Sequence, residues 1–94
     1  MWILSEAALN DLDAMVRWGT RLFGTRQSEL YERKIVDLFD SLSENPAMGR
    51  VLETGSGPMR CVATNAHRVI YRVEAGRVVI IRVLHQLQAI PDDL

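Results

Sequence analysis

The sequence predicts an α+β domain: an antiparallel β-sheet of three to four strands packed on an N-terminal αα-hairpin, in the order β-α-α-β-β-β. Three observations carry this. Two amphipathic helical stripes run consecutively through the first half, with only Gly24 and Thr25 between them. Three strand candidates fill the second half, and the last two flank the dipeptide Ala75-Gly76. Finally, 94 residues provide for one core and no second, so 1–94 reads as a single domain.

Each element has a local reason. Trp2-Ile3-Leu4 is a short apolar opening suited to an edge or central strand. Ser5 follows as an N-cap, and Glu6 is well placed against the positive end of the helix dipole. Ala8, Leu9, Leu12, Met15, Val16, Leu22 and Phe23 then form a stripe, with Asp11, Asp13, Arg17 and Arg21 mostly off it. Gly24 supplies the left-handed stop, and Thr25 is placed to cap a second helix. That helix carries Leu30, Tyr31, Ile35, Leu38, Phe39 and Leu42 and ends at Asn45-Pro46. So short a connection makes the two helices antiparallel.

Residues 47–57 read as irregular, being rich in glycine and leading into Gly57-Pro58. The strand candidates are Met59 to Thr64, Arg68 to Glu74 and Arg77 to Leu84, and the tail from Gln86 can form a helical turn before Pro91. Strict alternation puts Val79, Ile81 and Val83 on one face of the last strand and Val78, Ile80, Arg82 and Leu84 on the other. A strand apolar on both faces is covered on both. Either the tail folds back over the free side or a partner chain covers it. The expected core comprises Leu12, Val16, Leu38, Leu42, Val69, Tyr71, Val79, Ile81 and Val83.

An apolar fraction of 48% and a charged fraction of 24% exclude a disordered chain. No apolar run approaches the ~20 residues of a membrane span. The first residues lack the basic and apolar regions of a signal peptide, and Cys61 has no second cysteine to pair with. These features predict a reduced, cytoplasmic protein with no metal and no cofactor. The net charge of −1 conceals a segregation. Residues 1–45 carry five positive groups against eight negative, whereas residues 46–91 carry six arginines against Glu53 and Glu74. The second half is either an ordinary mixed-charge surface or an electropositive face for an acidic protein or a phosphate backbone.

Motifs for nucleotide, metal or serine chemistry are absent. Gly55-Ser56-Gly57 is too short for a phosphate loop and lacks its lysine, and Cys61 lies inside a strand as a small core residue. Two histidines remain. A turn at Ala75-Gly76 pairs Glu74 with Arg77 and predicts residue 67 beside 84 and residue 66 beside 85. Both imidazoles thus fall at one end of the hairpin, with Arg60, Arg68 and Arg82 as possible neighbours. Such a cluster can serve proton transfer with phosphorane stabilisation, or can be a strand-end hydrogen-bonding group.

Several phrases, in order along nearly the whole chain, resemble the RelE/ParE toxin superfamily, and its ParE branch in particular. They are Ile3-Leu4-Ser5 with Asp11-Leu12, Phe23-Gly24 before Gln27, and Leu42 to Asn45-Pro46 with Met48-Gly49-Arg50. Pro58-Met59-Arg60, His67-Arg68-Val69-Ile70-Tyr71-Arg72 and Val79-Ile80-Ile81-Arg82-Val83-Leu84-His85-Gln86 complete the set.

The resemblance implies the toxin of a ParD–ParE-type type II toxin–antitoxin pair. Such a toxin inhibits DNA gyrase by binding and is neutralised by a ParD-like antitoxin that also represses the operon. It implies no catalytic residue. RelE- and YoeB-type cousins cut messenger RNA on the ribosome without metal, and His85 and Arg60 sit where such cousins carry a histidine and an arginine. This chain departs from those cousins in its sequence pI near 6.1 and its single lysine, Lys34; ribosomal RNA is held largely through phosphate neutralisation. It departs from ParE in having Leu87 and Gln88 where an arginine often follows the histidine. Arg60, Arg82 and His85 are the expected target contacts. Val78, Ile80, Leu84 and Arg72 are the expected antitoxin contacts, with the antitoxin covering apolar surface beside the helix hairpin and the free side of the sheet.

Overall fold

The computed structural model describes residues 1–94. Its elements are β1 (Trp2–Leu4), α1 (Glu6–Phe23), α2 (Thr25–Glu44), β2 (Arg50–Thr54), β3 (Gly57–Thr64), β4 (His67–Glu74) and β5 (Arg77–His85). The α+β class and the helix hairpin are as predicted. The sheet is larger, with five strands in the order β1-β5-β4-β3-β2. β1 is an edge strand, and it pairs with β5 in parallel while every other pairing is antiparallel.

The unforeseen strand is β2, which pairs Arg50 with Cys61 and Thr54 with Gly57. It lies at the other edge of the sheet with Val51 exposed, so it needs no two-sided apolar pattern.

Ser5 caps α1, its Oγ accepting from the Ala8 amide at 3.0 Å. Gly24 has φ of 86° and ends α1. It is also the N-cap of α2, which starts at Thr25 without a side-chain cap, contrary to the capping role expected of Thr25. One residue therefore reverses the chain. A residue with a Cβ would be strained at this φ.

The hairpin packs on one sheet face. Ala8, Leu12, Ile35, Phe39 and Leu42 meet Val69, Tyr71, Val78, Ile80 and Val83. The opposite face gathers Met59, Cys61, Ile70 and Leu84, covered by Leu52, Ile81, Ile90 and Leu94. The tail does fold back over the free side, and it does so without helix. Its polar anchors are the Arg68 guanidinium, which donates to the Gln88 carbonyl, and the Ser56 amide, which donates to the Leu94 carbonyl.

The strict alternation expected of β5 fails at a β-bulge. Tyr71 pairs with Ile80 and Ile70 with Arg82, leaving Ile81 as an extra residue. Ile80 and Val83 consequently both face the hairpin, while Ile81 and Leu84 face the tail. Val78, Ile80 and Leu84 are at most 1% exposed, so these three expected antitoxin contacts are core residues, closed off by the hairpin and the tail. Val16, Leu38 and Ile81 are half-buried rather than central, and Leu9, Leu22 and Phe23 of the α1 stripe are exposed.

The link from α2 to β2 is held by Tyr71. Its hydroxyl donates to the Pro46 carbonyl at 2.8 Å and accepts from the Gly49 amide at 2.9 Å. Tyr71→Phe keeps the ring but strands both backbone groups. The expected cost is about 1–3 kcal/mol, read as a lower urea midpoint with an unchanged m-value.

Candidate functional site

The bulge determines the site. Past Ile81 the β4–β5 register advances by one, so His67 lies directly opposite His85 instead of beside residue 84. Their rings meet edge to face with centroids 5.4 Å apart. This pair closes one end of an open groove of about 910 Å³. The groove is lined along α1 by Asp11, Met15, Trp18 and Leu22 and on α2 by Ser28 and Tyr31.

The α1 residues fall at helical spacing on a face adjoining the core stripe. Gly19 lets the hairpin close at this point: a Cβ there would lie 3.0 Å from Ser28 Oγ. Ser28 Oγ in turn donates to the Val16 carbonyl. Towards the hairpin tip the apolar wall is open to solvent, with Trp18 60%, Leu22 63% and Phe23 70% exposed.

Both imidazoles are oriented by neighbours. Tyr31 Oη lies 2.7 Å from His67 Nδ1 and accepts from the Ala66 amide at 3.3 Å. His67 Nδ1 is the one acceptor of the chain within reach of the Tyr31 hydroxyl proton, so the arrangement that satisfies both groups has the tyrosine donating to His67 Nδ1. His85 Nδ1 accepts from the Leu87 amide at 3.1 Å, and the His85 amide donates to Gln88 Oε1 at 2.7 Å. Burial, reinforced by the neighbouring His85, pushes the His67 pKa below the ordinary histidine value, against a smaller pull from Asp11. Burial likewise raises Tyr31, partly offset by the Ala66 hydrogen bond.

Asp11 is the groove's one lining carboxylate, and it is spent. Its Oδ2 accepts from Arg82 Nε at 2.7 Å and from the Val83 amide at 2.9 Å, and its Oδ1 accepts from Arg82 Nη2 at 3.0 Å. The hydrogen bond to Asp11 raises the Arg82 pKa, with burial acting against it.

Of the expected target contacts, Arg82 and His85 come together here and Arg60 does not. Arg60 pairs with Tyr71, four residues along β3 from the His67 pairing, about 13 Å away at strand rise. Its guanidinium donates to the Gly49 carbonyl at 2.7 Å. Arg72 follows Tyr71 on β4, so its side chain lies on the face opposite the hairpin, where it pairs with Glu74 at 2.8 Å. Tyr31, Asp11, Trp18 and Ser28 were not singled out by the sequence for this site. The usable signal was Trp18, a large aromatic off the core stripe.

Fold and groove define a small two-layer α+β domain with one sheet face closed by its own tail and an open apolar groove beside the helix hairpin. The family model for the ParE toxin of type II toxin–antitoxin systems, parDE, matches residues 2–90, and the chain belongs to that family. It is 37% identical over 83 residues to Toxin ParE1 of Caulobacter vibrioides, covering 88% of this chain and 85% of that protein. It is 30% identical over 86 residues to Toxin ParE1 of Mycobacterium tuberculosis, covering 90% and 88%. The solved structure titled chromosomal ParDE TA system from P. aeruginosa shares the fold. Its TM-score is 0.76 at 22% identity, covering 89% of this chain and 92% of that one.

The two arginine pairs should separate on substitution. Arg82→Ala leaves Asp11 half-buried without its cation and is expected to cost about 1–3 kcal/mol in urea unfolding. Arg72→Ala, in an exposed pair, should change stability by about 0–1 kcal/mol.

His67 sets a pH dependence of defined sign. Its folded pKa lies below the unfolded value, so the unfolded chain binds more protons as the solution acidifies. The stabilisation it contributes is present above about pH 6.5 and is lost as the pH falls through its folded pKa. The difference in Tm between the wild-type protein and His67→Gln should narrow from about pH 7.5 to about pH 5.5. A constant difference would show that His67 is not held neutral.

Proposed function

We propose that this chain acts by binding DNA gyrase, and that a small ParD-like antitoxin neutralises it by seating on the groove beside the helix hairpin. Family membership supports the toxin role. The observation that carries the binding reading is the groove itself. The chain covers the far side of its sheet with Ile90 and Leu94, yet leaves Trp18, Leu22 and Phe23 open beside the histidine pair. An apolar wall with a few polar groups at one end suits an amphipathic partner helix.

The arrangement favours binding over RNA cleavage. A metal-free nuclease needs unpaired cations around its proton-transfer group to stabilise the phosphorane. Near His67 and His85, the Arg82 guanidinium is neutralised by Asp11, and that of Arg68 keeps its charge but is directed to the Gln88 carbonyl in the tail. Arg60 is engaged with the α2–β2 link. We take the partly exposed surface around His85 and Arg82 as the target contact. Arg60 belongs to the scaffold.

Purified protein added to a gyrase supercoiling reaction should stall it or trap cleaved DNA, and the co-expressed product of the neighbouring reading frame should reverse the effect. In cells the expected outcome is growth arrest with DNA damage and intact messenger RNA. Ribosome-dependent transcript cleavage abolished by His85→Gln would overturn this reading.

A further inference from the structure

We infer that His67 and His85 form a carboxylate-recognition point at the end of the groove, with both rings donating from Nε2 to an acidic side chain on the partner helix. This rests on reading the groove as the antitoxin seat. The hydrogen bonds decide the tautomers. His67 Nδ1 accepts from the Tyr31 hydroxyl in the arrangement that satisfies both, because no other acceptor of the chain reaches that proton. His85 Nδ1 receives the Leu87 amide proton. Each neutral ring then carries its hydrogen on Nε2. Neither Nε2 is bonded within the chain, and neither is sealed from solvent. With ring centroids 5.4 Å apart, the two imidazoles bring both Nε2 donors to the same end of the groove, where one acidic side chain can take them.

The alternatives fit less well. A metal ion at Nε2 needs a lone pair there, and His85 could supply one only by placing its proton on Nδ1, against the Leu87 amide. A partner strand is also disfavoured, because β5 past β1 has no open ladder. Ser5 Oγ donates to the Ile81 carbonyl, Asp11 takes the Val83 amide and Gln88 takes the His85 amide. The occupant must therefore recognise the site with side chains, as a helix does. Charge selects its polar group. Asp11, the one carboxylate lining the groove, is already taken by Arg82 and Val83. An acid therefore meets two N–H donors here, and a second cation meets no free carboxylate.

Two measurements test this. In the first, the isotopically labelled full chain is followed by histidine side-chain NMR while sodium octanoate or octanol is added. Near neutral pH both free rings should be Nε2–H tautomers. Octanoate should shift both imidazoles together with Trp18 and Leu22, whereas octanol should shift Trp18 and Leu22 alone. A ring found as the Nδ1–H tautomer, or identical responses to the two probes, overturns the inference. This arm needs no partner, so it decides the matter even where the neighbouring gene product forms no complex, an outcome that would overturn the antitoxin reading instead.

In the second, each acidic residue of that gene product is changed to its amide and binding is measured. One such change should weaken binding about ten- to a hundredfold. The same change should have little further effect on His85→Asn, whose side-chain oxygen can still accept from Leu87 but which lacks the outer N–H. A tight complex indifferent to His85→Asn and to every acid-to-amide change overturns the inference and leaves the antitoxin reading standing.

Discussion

Asp11 accepts three hydrogen bonds from β5, two from the Arg82 guanidinium and one from the Val83 amide, and much of the molecule is arranged around that contact. It ties the first helix to the last strand across 71 residues of sequence, which fixes where the hairpin sits on the sheet. It also closes the stretch of β5 that β1 is too short to cover, so the strand presents no free edge for a stray chain. And it consumes the one carboxylate in the groove, leaving the histidine N–H groups as the polar feature a partner meets there. One side chain thereby serves packing, edge protection and electrostatics.

The bulge at Ile81 completes that arrangement. Without it, β5 would continue in the register set by the Ala75-Gly76 turn, and His85 would face Ala66. The extra residue puts Arg82 within reach of Asp11 and brings the two histidines opposite each other. It also explains how a strand apolar on both sides is buried on both: the hairpin takes Ile80 and Val83, and the tail takes Ile81 and Leu84. A bulge beside a functional site is a common way to re-aim a side chain.

Sequence reasoning found what local chemistry dictates and missed what pairing decides. Ser5, Gly24 and Asn45 mark helix ends through their own backbone preferences, so the hairpin was legible to within a residue or two. The Ala75-Gly76 turn was legible through Gly76, which takes a φ of 77°; that Ala75 also takes a positive φ, 50°, is nothing an alanine announces. β2 was not, since Arg50 to Thr54 is an edge strand whose one neighbour supplies its order. The bulge was not either, because nothing in Ile80-Ile81-Arg82 differs locally from regular strand. Hence the site was half visible. His67 and His85 could be placed at one end of the hairpin, but facing residues came out one position wrong, and three of the four expected antitoxin contacts, Val78, Ile80 and Leu84, proved to be core. The groove wall was hidden for another reason: Leu22 and Phe23 share a stripe with true core residues, but the buried residues of α1, Ala8 and Leu12, lie in its first half and its last turns are exposed.

The charge segregation of the sequence takes its meaning from the same contacts. Four arginines of the second half are held by partners within the chain: Arg60 by Gly49, Arg68 by Gln88, Arg72 by Glu74 and Arg82 by Asp11. Only two of these partners are acids. The other two are backbone carbonyls in the α2–β2 link and in the turn after β5, so those arginines hold loops in place at little change in net charge. A cation fixed by a carbonyl keeps its charge but gives up donors and freedom of movement, so it adds to the field of this face more than to directed contacts with a partner. Directed recognition then falls to the groups still free to donate.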